Sequence, residues 1–235
     1  MIQDPSMTVL LSEPLFYIFF IYGVSFLVMS YVVFHGIKKA AAITLVATFY
    51  ALVLFGLTHG ITELIDWVRF MLRITGAGEI ELLRYLSQTF LISSFVILLQ
   101  FGVSLLTYRS EKASVLRYIP ILLLGLYFAV LLITNVNDVF RAGLIARYSF
   151  CILGALLSAI AFYRLSISMK TAGNSKLRKG LIVTAGGFAS YAILGGLIIK
   201  PIAGIPIELF RAACAFTIAI SSFYILGVFK ASEWL

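Results

Sequence analysis

The chain has 235 residues, 62% of them hydrophobic and 12% charged, with a mean hydropathy of +1.07 and a formal net charge of +8. Soluble domains carry roughly 45–50% apolar and about 25% charged residues, so this composition excludes a water-soluble globular protein and points to a bilayer. No stretch remains for a basic soluble domain, so the positive charge reads as membrane-surface charge and not as a nucleic-acid footprint.

Apolar runs at about 15–34, 41–66, 80–106, 117–135, 144–165, 180–199 and 207–229 reach or approach the roughly 20 residues that a helix needs to cross the hydrocarbon. Lipid cannot satisfy an open sheet edge, and the runs lack the in/out alternation of a membrane barrel. The expected fold is therefore all-α: one polytopic integral-membrane domain over 1–235, a seven-transmembrane helix bundle.

The first run follows acidic Asp4 and Glu13, has no small-residue cleavage site behind it, and so reads as a permanent span rather than a signal peptide. The second closes on FGLTHGITELIDW, where His59, Glu63 and Asp66 are spaced i, i+4, i+7 and share one helical face beside Trp67. Charge toward lipid costs at least a few kcal/mol, so this face is expected to look into the bundle. Gly56 and Gly60 bracket His59 in a pattern that admits a close helix neighbour.

The third run opens with Arg84 and Gln88 at i, i+4, and carries Thr89, Ser93, Gln100 and Ser104 nearly on one stripe. Gln100, the bulkiest uncharged polar group deep in a span, is the candidate for a polar path inward. Arg147 stands at the entrance of the fifth run, and Glu208 and Arg211 open the seventh. His59, Glu63, Arg84, Gln88, Arg147 and Arg211 thus form a candidate ligand-binding layer near the outer leaflet, able either to hold a polar or anionic group or to satisfy itself by ion pairing.

Loop charge orients the bundle. Eleven of the 18 basic residues, from Lys38 to Lys230, fall on one side with only Glu111 and Glu233; the other seven share the opposite side with eight acids. The N-terminus is expected outside and the C-terminus in the cytoplasm.

Several functions are argued against. The last run has no lysine except Lys230 at its end, which removes a retinal Schiff base; His35 and His59 fall toward opposite sides, which removes a two-histidine haem in a monomer. Cys151 and Cys214 lie inside apolar runs and imply neither a disulfide framework nor a metal motif. Gly186-Gly187 and Gly195-Gly196 sit in an apolar helix and favour close packing over phosphate binding. No nucleophile is placed beside His59 and Glu63, so an enzyme is not expected, and no particular cofactor is implied.

Two stretches, FIYGVSFLVMSYVVF followed by FGLTHGITELIDW, and the late IPIELFRAACAF, resemble the N-terminal integral-membrane sensor modules of bacterial sensor histidine kinases and diguanylate cyclases. The marks are His59-Gly60-x-x-Glu63, Gln100-Phe101-Gly102, Ala146-Arg147-Tyr148 and Phe210 to Cys214, spread over essentially the whole chain. The resemblance implies a signal-input module of the bacterial inner membrane. Its partners would be the lipid bilayer, a cytoplasmic histidine kinase or diguanylate cyclase, and a second copy in a homodimer. This sequence ends at Trp234-Leu235 with no output domain, so output is expected from another chain or a continuation. The reading from a different class is a transporter, or a membrane-anchor subunit of a larger redox complex.

Overall fold

A computed structural model describes residues 13–38, 43–108, 111–134, 138–171 and 174–231. Asp4, Lys39, Arg109, Glu233, Trp234 and Leu235 lie outside the described residues, as do the side chains of Glu111, Lys112 and Lys230. Among the described residues the chain is helical, and seven stretches are long and apolar enough to cross a membrane. It is a multi-pass membrane protein.

Helix α1, Pro14–Ile37, starts on a proline, whose missing N–H loses nothing at a first helical turn. It buries Tyr22, Phe26, Met29 and Val33 along one face. Helix α2, Ile43–Ile74, runs about two turns past the expected end at residue 66. The charges around that expected end are paired: Arg69 bonds Asp66 at 2.6 Å and also bonds Glu79. The helix stops where Gly76 adopts φ +74°. There Ala77 N–H donates to Leu72 O and Gly76 N–H to Arg73 O, the paired bonds of a Schellman stop.

Helix α3, Glu81–Leu106, is followed by a 3₁₀ segment, Glu111–Tyr118, and helix α4, Ile119–Ile133. The fifth span starts earlier than residue 144, because Asp138 caps helix α5, Val139–Ala146, by accepting from Phe140 N–H at 2.9 Å. A π-turn at Arg147–Cys151 joins α5 to α6, Ile152–Thr171, and the whole run Val139–Lys170 is 32 residues long. Helix α7, Ser175–Tyr191, is capped by Asn174 and ends in a second π-turn, Ala192–Leu197. Ala203 and Gly204, both at positive φ, turn the chain between paired Ile202 and Ile205 into α8, Ile207–Ala231.

Packing runs α1–α2–α3–α6–α7–α8 and back to α1, which closes a ring of six helices. Helix α4 stands outside it: 11% of the fourth span's most apolar stretch is buried, against 39–56% in the others. Glycines set the closest approaches. A Cβ on Gly56 would meet Phe26 O at 2.9 Å, one on Gly60 would meet Gly23 O at 3.0 Å, and one on Gly154 would meet Leu99 N at 2.6 Å. Hence α1 lies against α2, and α3 against α6, almost backbone to backbone.

Candidate functional site: a buried histidine shared by four helices

Gly56 and Gly60 draw α1 onto the face of α2 that carries His59, leaving its imidazole 1% exposed. Phe26, Phe55 and Phe95 surround it, with ring centroids 4.4, 5.4 and 5.6 Å away. Inside this apolar shell every polar atom of the ring has a partner. Nδ1 is 3.0 Å from Ser94 Oγ on α3, and Nε2 is 3.1 Å from both the Tyr22 hydroxyl on α1 and the Tyr191 hydroxyl on α7. Glu63, one turn along α2, brings Oε1 to 3.5 Å from the same Nε2.

The proton arrangement follows from counting donors. The Ser94 hydroxyl has one proton and donates it to Leu91 O at 2.7 Å, so its oxygen accepts from His59 Nδ1–H. Nε2 of the neutral ring then offers one lone pair to two phenols. One tyrosine donates to it, and the other phenol stands at the same distance without a lone pair of the ring to bond. If Nε2 gains a proton, it turns from acceptor to donor, and the nearest carboxyl group is that of Glu63. The arrangement can hold a proton, or exchange it with a ligand, by re-pairing groups on α1, α2 and α7.

Both π-turns support this layer. A π-turn breaks the regular ladder and leaves backbone carbonyls in need of donors. Arg211, 5% exposed, gives Nε to Leu194 O at 2.8 Å and an Nη2 proton to Ile198 O at 2.9 Å, with Glu208 3.9 Å away. Arg147, first residue of the other π-turn, donates to Gly195 O at 2.5 Å and lies 5.6 Å from the centre of the Phe95 ring. Both guanidiniums are close enough to act electrostatically on His59 and Glu63. Their hydrogen bonds go to backbone carbonyls of the second π-turn and of Ile198 just after it, not to carboxylates.

Of the residues singled out in the sequence, His59, Glu63, Arg147 and Arg211 therefore share one layer. Gln88 stands nearby, its amide against Gly143, one turn before Arg147 on α5. Its Nε2 and the Nε of Arg84 are buried without a hydrogen-bond partner. Asp66 turns to Ser87 Oγ at 2.8 Å and to Arg69, one turn away from Glu63. Gln100 is not joined to the layer: it donates to Ser104 Oγ on its own helix at 2.9 Å. Because α2 extends to Ile74, His59 lies midway along it, opposite the middle of α3, and not toward its end as a run closing at residue 66 implied.

Tyr22, Ser94 and Tyr191 are the partners that the sequence did not single out. Ser94 sits one residue from Ser93, which was counted in the polar stripe of α3; about 100° of helix rotation puts Ser94 in the core and Ser93 outside. Among the described residues no group of three or more histidines, cysteines or acids is placed to hold a metal ion. No protein-family profile, curated protein or solved structure matches the chain.

Proposed function

We propose that the chain is a membrane-embedded signal-input module, N-terminus outside and C-terminus cytoplasmic. It takes a small polar molecule, a lipid headgroup or a quinone-like group at the layer around Glu63, Arg147 and Arg211, and passes its state to a cytoplasmic kinase or cyclase. The observation that carries this reading is the sharing of one imidazole: His59 is bonded from α1, α3 and α7 while belonging to α2.

A ligand shifts a conformational equilibrium only through its different affinity for the two arrangements. Here a single change at Nε2, by proton or by ligand, alters bonds to two helices at once. The same layer reaches α8 through Arg211, so re-pairing at His59 is coupled to the helix that leads to the C-terminus.

Native mass spectrometry of protein purified gently from its membrane tests this. A retained small-molecule mass is expected, and it should be lost in Glu63→Ala and in Arg211→Ala. A bare protein mass, or an adduct indifferent to both substitutions, would sink the proposal.

A further inference from the structure

A cavity lies well away from the histidine layer. Toward their C-terminal ends α3 and α6 part, leaving a volume of about 280 Å³ floored by Leu105, Leu106 and Leu165 and rimmed by Tyr108, Arg164 and Ser168. At the helical rise per residue, Leu105 stands roughly 16 Å along α3 from Ser94, so the two sites are separate.

Arg164 is exposed at the rim, and among the described residues no carboxylate pairs with it. Ser168 turns its hydroxyl back to the Arg164 carbonyl at 3.4 Å and not to the guanidinium. The surroundings are basic: Arg117, Lys170, Lys176, Arg178 and Lys179 fall at helix ends on this side.

The combination selects a ligand class. A soluble anion would satisfy Arg164 and leave the three leucines uncovered. A neutral amphiphile would cover the leucines and leave the guanidinium without a counter-charge. An anionic amphiphile does both, its phosphate accepting from the planar guanidinium and its first methylenes lying on the leucine floor. The volume, against about 30 Å³ for one liquid water, is ample for a phosphoglycerol group. We propose that this cavity binds one anionic phospholipid, with its phosphate on Arg164 and its upper acyl carbons on Leu105, Leu106 and Leu165.

The test uses the full chain in vesicles of equal parts phosphatidylglycerol and phosphatidylcholine, extracted gently and weighed by native mass spectrometry. Phosphatidylglycerol should be retained over phosphatidylcholine by about fivefold or more, the factor expected from one surface cation on an anionic lipid. Arg164→Gln should remove that preference. Ser168→Trp, which fills the cavity without changing charge, should remove it too, and Lys170→Gln should keep it. All three side chains are exposed, and circular dichroism with a thermal melt checks that each variant is folded.

No preference in the parent chain would overturn the proposal. So would a loss in Lys170→Gln equal to that in Arg164→Gln, which would mean diffuse surface charge, or a Ser168→Trp variant that binds normally. In neutral detergent with inorganic phosphate and no lipid, no adduct is expected; a phosphate adduct abolished by Arg164→Gln would overturn the lipid assignment.

Discussion

Tyr22 on α1 and Tyr191 on α7 bring their hydroxyls to the same distance, 3.1 Å, from the same atom, Nε2 of His59. One lone pair cannot accept both protons, so the two phenols are interchangeable donors to the imidazole. Tyr22→Phe or Tyr191→Phe alone leaves a phenol to satisfy Nε2, and each should cost about 0.5–1 kcal/mol. The double variant leaves a buried acceptor without either phenol, which costs about 1–3 kcal/mol more than the sum of the two. A double-mutant cycle by unfolding in mixed micelles measures the coupling; strict additivity would show that the phenols do not share the site.

Arg211 holds two carbonyls, Leu194 O and Ile198 O, with two edges of one planar guanidinium. A lysine ammonium is a compact point charge and lacks the rigid fork that serves both carbonyls here. Arg211→Lys should therefore keep the charge and still lose about 1.5–3 kcal/mol, the scale of a hydrogen bond from a charged donor. Faster amide exchange is expected at the second π-turn, Ala192–Leu197. A lysine variant as stable and as protected as the parent would mean that Arg211 acts through charge alone.

The seven spans were legible because each is an unbroken apolar run, and chemistry of that kind needs no tertiary knowledge. Their lengths were less so. Arg69 and Arg73 lie past the apolar run, yet α2 continues through them to Ile74, with Arg69 paired to Asp66 and Glu79. The peripheral place of α4 was invisible for a different reason: Leu122 and Ile133, 72% and 82% exposed, are as apolar as a core residue, since lipid and core favour the same side chains. The acids and arginines of the histidine layer stood out as rare charges in greasy runs. Its two tyrosines did not, because an aromatic ring in a span is ordinary until its hydroxyl is seen to meet a partner.

Glycine has opposite meanings at two places on the helices. At Gly154 a new Cβ would sit 2.6 Å from Leu99 N and 2.8 Å from Leu99 Cα, both backbone, so neither can yield without moving α3 from α6. At Gly186 nothing lies within 4 Å. Gly154→Ala should destabilise by about 1–3 kcal/mol or more, the range for overpacking a well-filled interior. Gly186→Ala should be neutral or stabilising by up to about 1 kcal/mol from helix propensity. Melting temperatures of the pair in one detergent give the comparison, and equal melting would contradict the close α3–α6 contact.

Glu79, in the loop between α2 and α3, has its carboxyl held below the ordinary value of 4.5, first of all by the hydrogen bond from Arg69. The sign of the pH effect follows from linkage. A carboxylate whose folded-state pKa is depressed binds protons more readily in the unfolded chain, so its contribution to stability is complete above the ordinary value and disappears as pH falls through the folded value. The parent chain should therefore lose melting temperature below about pH 4.5 more steeply than Glu79→Gln, whose neutral amide has no proton to gain. The two should differ most near neutral pH and converge in acid. Salt should narrow the gap in part, because Glu79 is exposed at the helix end and screened within about 10 Å at 0.1 M, while the Arg69 side chain is largely covered. Parallel curves from pH 7 to pH 3 would show that the Arg69–Glu79 pair contributes nothing to holding the end of α2 against the loop.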